Sequence, residues 1–376
     1  MKFSVLSGAY LNAGDFLIVD RSIKLLKNVY PECEIKTYER RLSLEENLEE
    51  INKSDALIFA GGPAYMTNIY PQNIPLVDDL NKIKVKMFTM GLGWYGANVS
   101  NKYIYNDYKF NETTVKLLER LSKDGKNLSC RDWYSTRVLK ANGFENSLMT
   151  GCPAWYDLNY INSAEIRDGV NIPFKKICIS DPAKLQNAGN AIELVKYLMN
   201  KFKDAEIIFV FHRRDSKKVE SSAKIESVYD KIKQELDKLK VKVVDISSSA
   251  DAFSVYDNCD LHIGFRVHAH IYNLSHRNIS ILIEEDGRGA GVNQALGFNS
   301  IKAYKEKGEL NSNILTKANN FLGRGKPDIN DYLLQNIDDQ FNMLFNSNFI
   351  QYKAAFFNMQ IYFEQMKQHI ESLTKI

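Results

Sequence analysis

Short apolar runs alternate with longer segments of helical periodicity along most of the chain. The runs at residues 3–7, 56–60 and 206–211 are typical of strands that are buried on both faces. Segments between such runs, for example 15–28, repeat apolar residues at the three- to four-residue spacing of a helix. Strands that alternate with helices in this way predict βαβ units and a parallel sheet.

This pattern occurs twice, which predicts an α/β fold with two Rossmann-like parallel-sheet domains, residues 1–165 and 166–325. Neither a strand pattern nor a helix pattern is present around residues 154–173, where we place the boundary between the two domains. The remaining residues, 326–376, carry no strand signal, and their phenylalanines recur at near-helical intervals. This tail is either a pair of helices packed on the globule or a surface that docks on a membrane or a partner.

Composition and charge exclude several classes of protein. The 376 residues are 44% hydrophobic and 25% charged, and 20 Tyr with 20 Phe argue against a disordered chain. With 49 Lys+Arg against 46 Asp+Glu, the charge is too balanced to indicate nucleic-acid binding by electrostatics. Five widely spaced cysteines without a Cys-x-x-Cys pair argue against a disulfide framework and a zinc ribbon. Together with the lack of a signal-peptide pattern, this favours the reducing cytoplasm.

Glycines and polar residues follow the first two predicted strands. Asn12, Gly14 and Asp15 stand between the first strand and its helix, where glycine permits close approach and Asp15 is placed to cap the helix. Such a turn either holds a substrate phosphate or sugar hydroxyls at a helix N-terminus, or is an ordinary capped connection. Gly61 and Gly62 follow the strand at 56–60 in the same manner.

Two further strand ends carry cationic or titratable side chains. Arg131 follows the strand predicted at 128–130 and suits two-pronged binding of a carboxylate or phosphate across an interdomain cleft. The alternative for Arg131 is a salt bridge to Asp132. His212 follows the strand at 206–211 with two arginines behind it, a cluster that indicates phosphate contact, although a solvated turn accounts for an arginine equally well.

The segment 263–274 and the residue before it contain three of the six histidines, namely His262, His268 and His270. A helix is predicted to begin near Arg266, so that Arg266 and His268 lie in its first turn and face the cleft. An arginine beside a histidine suits an anionic substrate that needs proton transfer, and the positive end of the helix disfavours a protonated imidazole. We assign function to His268 and structural roles to His262 and His270. No histidine pair has a carboxylate placed as a third ligand, so no metal site is predicted.

A charged, glycine-rich segment, 284–291, follows the strand predicted at 279–283. Its glycines would let backbone N–H groups face a ligand, and Arg288 supplies positive charge. Asp286 is a candidate acid/base group or the orienter of an arginine. The alternative is a flexible acidic turn that caps a helix beginning near Val292.

In their order along residues 3 to 298, these segments resemble the motifs of the polysaccharide pyruvyl transferase family. The matching segments are Asn12-Ala13-Gly14-Asp15 (similar to Asn-x-Gly-Asp), Gly61-Gly62, Ser129-Cys130-Arg131-Asp132 (Ser-x-Arg-Asp), Arg266-Val267-His268-Ala269 (Arg-x-His) and the charged glycine-rich loop. The Arg-x-His match is the most telling of these.

The resemblance implies a GT-B glycosyltransferase fold, with the first domain on the acceptor side, the second on the donor side and the tail packed across both. It implies an enzyme that transfers pyruvate from phosphoenolpyruvate to a sugar of a cell-surface polysaccharide or its precursor, forming a ketal and releasing phosphate. His268 would be the proton donor, and Arg131 and Arg266 would hold the donor's anionic groups. Arg288 takes the place of a lysine of the family. No cofactor is implied, since phosphoenolpyruvate is a substrate.

Two departures from the family pattern bear on the acceptor. Pro63 stands where the family has a third glycine, and Cys152 precedes Pro153 where Asp-Pro is expected. The acceptor sugar is either lipid-linked, nucleotide-linked or free, and the expected location is the cytoplasm, with peripheral contact at the inner face of the membrane as the alternative. The alternatives are a glycosyltransferase that uses a nucleotide sugar on the same scaffold, and a non-catalytic carbohydrate-binding relative.

Overall fold

The computed structural model describes residues 1–8, 12–94, 96, 104–212, 222–247, 249–304 and 330–374. Its strands are β1 (Lys2–Ser7), β2 (Glu34–Glu39), β3 (Ala56–Ala60), β4 (Pro63–Tyr65), β5 (Lys86–Met90), β6 (Gly93–Trp94), β7 (Leu128–Cys130), β8 (Ser147–Met149), β9 (Lys176–Ser180), β10 (Glu206–Phe211), β11 (Lys242–Asp245), β12 (Leu261–Gly264), β13 (Ile279–Glu284) and β14 (Ile301–Lys302). Its helices are α1 (Ala13–Val29), α2 (Leu48–Ile51), α3 (Ile104–Asp107), α4 (Glu112–Gly125), α5 (Trp133–Lys140), α6 (Ala188–Lys201), α7 (Ser222–Lys238), α8 (Val267–Ser275), α9 (Gly287–Leu296), α10 (Leu333–Asn346) and α11 (Ile350–Glu371).

The strands of the first half form a parallel sheet in the order β2-β1-β3-β5. All five residues of β3 are buried, as expected for a central strand covered on both faces. The chain leaves β1 toward β2 on one side and returns to the other side to form β3. The loops after β1 and β3 therefore diverge and leave a crevice at the carboxyl end of the sheet.

The second half forms a six-stranded parallel sheet in the order β11-β10-β9-β12-β13-β14. Its strand order reverses between β9 and β12, so the loops after these two strands open a second crevice. The connection from β8 to β9 joins the two sheets. The domain boundary placed at residues 165 and 166 falls in this connection and stays a prediction.

Local sequence accounts for where the helices at the two crevices begin. Asn12 caps α1, because its side-chain oxygen accepts a hydrogen bond from the Gly14 amide at 3.2 Å. Helix α1 then buries an apolar stripe that includes Leu17, Ile18 and Leu25. Helix α8 is shorter and buried along most of its length, from Ala269 to Ser275. It packs on α1, so the two crevices face each other.

The tail folds as the helical pair α10 and α11. Near its start α11 reaches the second sheet, where the Tyr352 hydroxyl donates to the Ser280 carbonyl at 2.8 Å. Near its end it reaches the first sheet, where the His369 ring stacks on Phe88 with centroids 4.1 Å apart and Nε2 lies 2.9 Å from the Thr89 carbonyl oxygen. One helix therefore contacts both sheets.

Most of the aromatic residues that marked the tail belong to the core. Phe341, Phe349, Phe356 and Phe363 are buried, with Leu344 beside them, while three other apolar side chains stay exposed: Phe345, Phe357 and Ile361. Packing on the globule therefore accounts for most of the periodic pattern. Within the described ranges, no helix combines the length and the apolarity that a bilayer crossing requires.

Two sequence predictions about elements are wrong. The helix expected near Val292 begins at Gly287, so the glycines of 287–291 lie in its first turns instead of a flexible loop. The strand β2 was not predicted, because it lies at the edge of its sheet and alternates exposed with half-buried residues instead of forming an apolar run. Because β2 was not predicted, Arg40, which follows it, was not recognised as a candidate site residue.

Candidate functional site

The first turns of α1 and α8 meet where the two crevices face each other. A Cβ atom on Gly14 would lie 2.0 Å from Nδ1 of His268, so only glycine permits this approach. Asn12, Gly14 and Asp15 thus line one side of the gap and His268 the other. The structure brings together these residues from opposite halves of the sequence.

His268 lies in a cationic environment. Burial, followed by the positive charges of Arg131, Arg288 and Arg266 in that order of influence, lowers the pKa of its imidazole to about 3. The imidazole is therefore neutral in the unliganded protein at physiological pH. Arg131 follows β7 in the first half, whereas Arg266 follows β12 and Arg288 lies in α9 in the second half.

Arg131 is fixed by the backbone of the first half. Its guanidinium lies against Gly93, where a Cβ would fall 2.0 Å from Nε. Its Nη2 donates to the Trp94 carbonyl at 2.9 Å, and its Nε donates to Asp132 at 3.0 Å. The salt bridge considered from sequence is thus present. Asp132 also caps α5 by accepting from the Ser135 amide at 2.8 Å.

Arg266 is held by a carboxylate of the second sheet. Its Nε and Nη2 donate to the two oxygens of Asp181 at 2.8 and 2.5 Å. Asp181 also accepts the backbone N–H of His212 at 3.1 Å. The His212 ring itself is buried and lies 2.6 Å from the Tyr256 hydroxyl. The structure therefore places His212 behind the Arg266–Asp181 pair.

Arg288 and Asp286 form a second two-pronged pair, at the start of α9. The guanidinium donates to the carboxylate at 3.0 and 2.7 Å, and Asp286 caps the helix through the Arg288 amide at 3.0 Å. Burial alone would raise the pKa of Asp286, but the bonds from Arg288 hold it below its usual value. Asp286 is therefore an anion that orients Arg288, the second of its two sequence-based roles.

Neighbouring Glu285 ties two loops of the second sheet together. Its carboxylate accepts the amides of Ala183 and Lys184 at 2.6 and 3.1 Å, and the Asn187 side chain at 2.6 Å. Burial raises the pKa of this carboxyl, and the same hydrogen bonds oppose that effect. The loops after β9 and β13 are therefore joined behind Arg266 and Arg288.

Asp15 is the carboxyl of the first half that faces this cationic region. Burial raises its pKa above the usual value, against the opposing charges of Arg40, Arg41 and Arg288 and the side-chain hydrogen bond of Asn12. A buried carboxyl with a raised pKa is suited to accept and release a proton. Asn12 Nδ2 lies 3.3 Å from its Oδ2.

Gly61 and Gly62 form the floor of the first crevice, both with positive φ, at +52° and +77°. A Cβ on Gly61 would lie 2.5 Å from Ile18, and one on Gly62 would lie 2.8 Å from the Arg40 guanidinium. Arg40 was missed from the sequence, because β2 was missed. The charged, alternating run 34–39 followed by two arginines is the signal that could have found it.

Among the described residues, no three His, Cys, Asp or Glu side chains converge as ligands for a metal ion. The groups that line the gap between α1 and α8 are cations, hydrogen-bond donors and one buried carboxyl. Such a site is suited to a small anion that carries more than one charged group.

Sequence comparison identifies the family. The family model described as polysaccharide pyruvyl transferase matches residues 12–276, a range that includes Asp15, Arg131 and His268 and ends before Arg288. The chain belongs to the polysaccharide pyruvyl transferase family. No curated protein matches the chain at a significant level.

Solved structures show that this family member shares its fold with sugar-nucleotide enzymes. MnaA of S. aureus, solved with UDP, is 12% identical with a TM-score of 0.54, and the match covers 100% of this chain and 97% of that chain. UDP-GlcNAc 2-epimerase from Neisseria meningitidis, bound to UDP-GlcNAc, is 12% identical with a TM-score of 0.50, and the match covers 100% of both chains. The chain therefore has the GT-B type of fold, as the family resemblance implied.

Proposed function

We propose that the protein transfers the pyruvyl group of phosphoenolpyruvate to two hydroxyls of a sugar in a cell-surface polysaccharide or its precursor, leaving a ketal and releasing phosphate. The observation that carries this proposal is the position of His268. Its ring contacts the first turn of α1, and the positive charges of Arg131, Arg266 and Arg288 act on it. Phosphoenolpyruvate carries a carboxylate and a phosphate. Three guanidinium groups around one imidazole supply positive charge for both groups, and their Nη atoms that do not donate to Asp132, Asp181 or Asp286 can donate to the ligand.

In the proposed first step, a sugar hydroxyl adds to C2 of phosphoenolpyruvate. His268 gives a proton to C3, so that the methylene becomes a methyl group, and the hydroxyl loses its proton to Asp15. Positive charge develops at C2 while the proton is transferred, and the neighbouring donor carboxylate stabilises it. Asp15 later returns its proton to solvent, and His268 is reprotonated from solvent.

In the second step, another hydroxyl of the same sugar attacks C2. The bond from C2 to the phosphate oxygen breaks, and phosphate leaves with the bonding electrons and takes up the proton of the attacking hydroxyl. Arg131, Arg266 and Arg288 stabilise the charge on the departing phosphate. The products are the ketal and inorganic phosphate, and no redox change occurs.

The neutral state of His268 in the unliganded protein fits this scheme when donor binding is included. Burial is the largest cause of the lowered pKa of His268, and the positive charges of the three arginines add to it. A bound donor places up to three negative charges among them, which favours protonation. His268 therefore becomes an acid when the substrate that needs the acid is present.

A glycosyltransferase that uses a nucleotide-sugar donor is the second candidate. The solved neighbours with UDP or UDP-GlcNAc are consistent with a nucleotide-linked sugar in this type of fold. In the pyruvyl transfer proposal such a molecule is the acceptor, whereas in the alternative it is the donor and phosphoenolpyruvate has no role.

The test is phosphate release from phosphoenolpyruvate with a panel of lipid-linked, nucleotide-linked and free sugars, for wild type and His268→Gln. Acceptor-dependent release in the wild type, lost in the variant, supports the proposal. Lys53→Gln, at an exposed position that pairs with Glu49, is the control for nonspecific damage. Turnover of a nucleotide sugar without any phosphate release from phosphoenolpyruvate would establish the glycosyltransferase instead. A protein that binds sugars without either reaction, and equally well as His268→Gln, would be a non-catalytic relative.

A further inference from the structure

Arg40 differs from the other arginines of the site, because none of the described residues forms an ion pair or a hydrogen bond with its side chain. Its guanidinium lies over the carboxyl ends of β1 and β3, where a Cβ on Gly8 would be 2.7 Å from Cζ and one on Gly62 would be 2.8 Å from Nη1. Across the part of the chain that the structure describes, no oxygen accepts a hydrogen bond from this side chain and no carboxylate pairs with it. The head group is thus fixed in place by backbone while its donors remain available.

The other three arginines each have a carboxylate. Arg131 donates to Asp132, and two-pronged pairs hold Arg266 on Asp181 and Arg288 on Asp286. Burying an unpaired guanidinium is unfavourable, and burial indeed lowers the pKa of Arg40, with Asp15 opposing the effect. A cation kept at this cost in a crevice of the sheet is suited to pair with a ligand anion.

Arg40 belongs to a different part of the gap from His268. The charges that act on His268 are those of Arg131, Arg288 and Arg266, and Arg40 is not among them. Arg40 acts on Asp15, on which Arg41 and Arg288 also act, and Asp15 supplies the opposite charge that acts on Arg40. In the proposed function the three arginines around His268 hold the donor's carboxylate and phosphate. Arg40 is then available for an anion on another molecule.

Building on the proposed function, we infer that Arg40 binds an anionic group of the sugar acceptor, a phosphate or a carboxylate, and so selects a charged acceptor. The sugar would then lie over Asp15 with its hydroxyls toward the donor, and its anionic substituent would lie over Gly8 and Gly62. The lack of a side chain at these two glycines lets the guanidinium of Arg40 lie against the backbone.

The experiment measures binding and steady-state kinetics for wild type, Arg40→Gln, Arg40→Lys and the control Lys53→Gln. Lys53 is exposed and pairs with Glu49, so its replacement removes one positive charge from the same domain without touching a residue of the gap. The binding probes are glucose 1-phosphate, glucuronate, UDP-GlcNAc and uncharged glucose, titrated by calorimetry with phosphoenolpyruvate at saturation. Kinetics use the acceptor found in the phosphate-release panel.

We expect Arg40→Gln to weaken binding of the anionic probes and raise the acceptor KM by about ten- to a hundredfold, since a charged hydrogen bond is lost. The KM for phosphoenolpyruvate and the binding of glucose should stay unchanged. The anion affinity and the acceptor KM of Arg40→Lys should lie between those of the wild type and Arg40→Gln. Lysine keeps the positive charge but lacks the planar guanidinium with its paired donors. A preference for glucose 1-phosphate and UDP-GlcNAc identifies a phosphate, and a preference for glucuronate identifies a carboxylate.

A raised KM for phosphoenolpyruvate in Arg40→Gln would overturn the inference, because Arg40 would then bind the donor. Unchanged affinity for every anionic probe would overturn it as well. In both results the wild type still releases phosphate from phosphoenolpyruvate, so the proposed function stands. Failure of the proposed function is a separate outcome, namely no release by the wild type with any acceptor.

Discussion

Gly14 of α1 and His268 of α8 lie so close that no side chain fits between them. A Cβ on Gly14 would fall 2.0 Å from Nδ1 and 2.4 Å from Cγ of the imidazole. The two residues follow different sheets and are far apart in sequence, yet this contact sets the separation of the two helices. The position of the histidine relative to the first half of the molecule therefore depends on a residue without a side chain.

Gly14→Ala should reduce kcat/KM by about a hundredfold or more, because the imidazole must move by roughly an ångström to make room for the methyl group. The measurement is acceptor-dependent phosphate release. Gly189→Ala in α6 is the matched control, since a Cβ there meets no atom within 4 Å. That control should keep full activity and gain a few tenths of a kcal/mol to about 1 kcal/mol of stability. Equal activities of the two variants would contradict the assigned role of the contact.

Binding of phosphoenolpyruvate should be accompanied by uptake of about one proton at neutral pH, because His268 begins neutral and its pKa rises when the arginines are neutralised. Calorimetry in buffers of different ionisation enthalpy measures this uptake. His268→Gln removes the group and should remove most of the uptake while retaining donor binding. The same uptake in both proteins would assign the proton to another group.

Acid should destabilise the protein below about pH 6.5, through its buried histidines. Burial lowers the pKa of His369 to about 4 and that of His270 to about 3, both below the ordinary value. Their neutral forms stabilise the fold fully above pH 6.5, and this contribution is lost as the pH falls toward the folded-state pKa. Each such histidine should cost roughly 1 kcal/mol per pH unit in this window.

His369→Gln should therefore show a shallower fall of unfolding free energy between pH 6.5 and pH 4.5 than the wild type. Glutamine can still donate to the Thr89 carbonyl, which limits the loss of stability at neutral pH. Urea unfolding at constant ionic strength provides the comparison. Parallel curves for the two proteins would mean that His369 does not titrate on unfolding.

Asp181→Ala should cost about 3 to 5 kcal/mol of unfolding free energy, because it leaves the Arg266 guanidinium without its buried partner. The arginine should also lose its orientation, so that the KM for phosphoenolpyruvate rises. Glu49→Gln, which breaks an exposed ion pair with Lys53, is the control and should leave both quantities unchanged. An effect of Asp181→Ala no larger than that of the control would show that Arg266 is held by other contacts.

The sequence predicted most of the fold because the central strands are apolar along their whole length. Strands 56–60 and 206–211 have the bounds that the pattern gives, since burial on both faces favours a continuous apolar run. An edge strand carries no such signal. In β2 Glu34, Lys36 and Thr37 are exposed, so its alternation is weak, and Arg40 at its end could not be placed in the crevice.

The residues of the gap were recognisable from sequence, but their partners were not. Arg131, Arg266 and His268 were predicted as site residues because they follow predicted strands, and parallel strands present their carboxyl ends at one edge of the sheet. Two-pronged pairs such as Arg266 with Asp181 join loops that are 85 residues apart, and no local pattern specifies them. The glycines of 287–291 were also misjudged, because local propensity favours a loop while the Asp286 cap and burial stabilise a helix.

The final helix connects its contacts at Ser280 and at Thr89 over about 26 Å of rigid rod. A hinge between the two sheets would have to bend this rod or detach one of its ends. The two halves should therefore melt in a single cooperative transition, with equal calorimetric and van't Hoff enthalpies. Removal of the last turn of α11, far from any arginine of the gap, would then separate that transition into two.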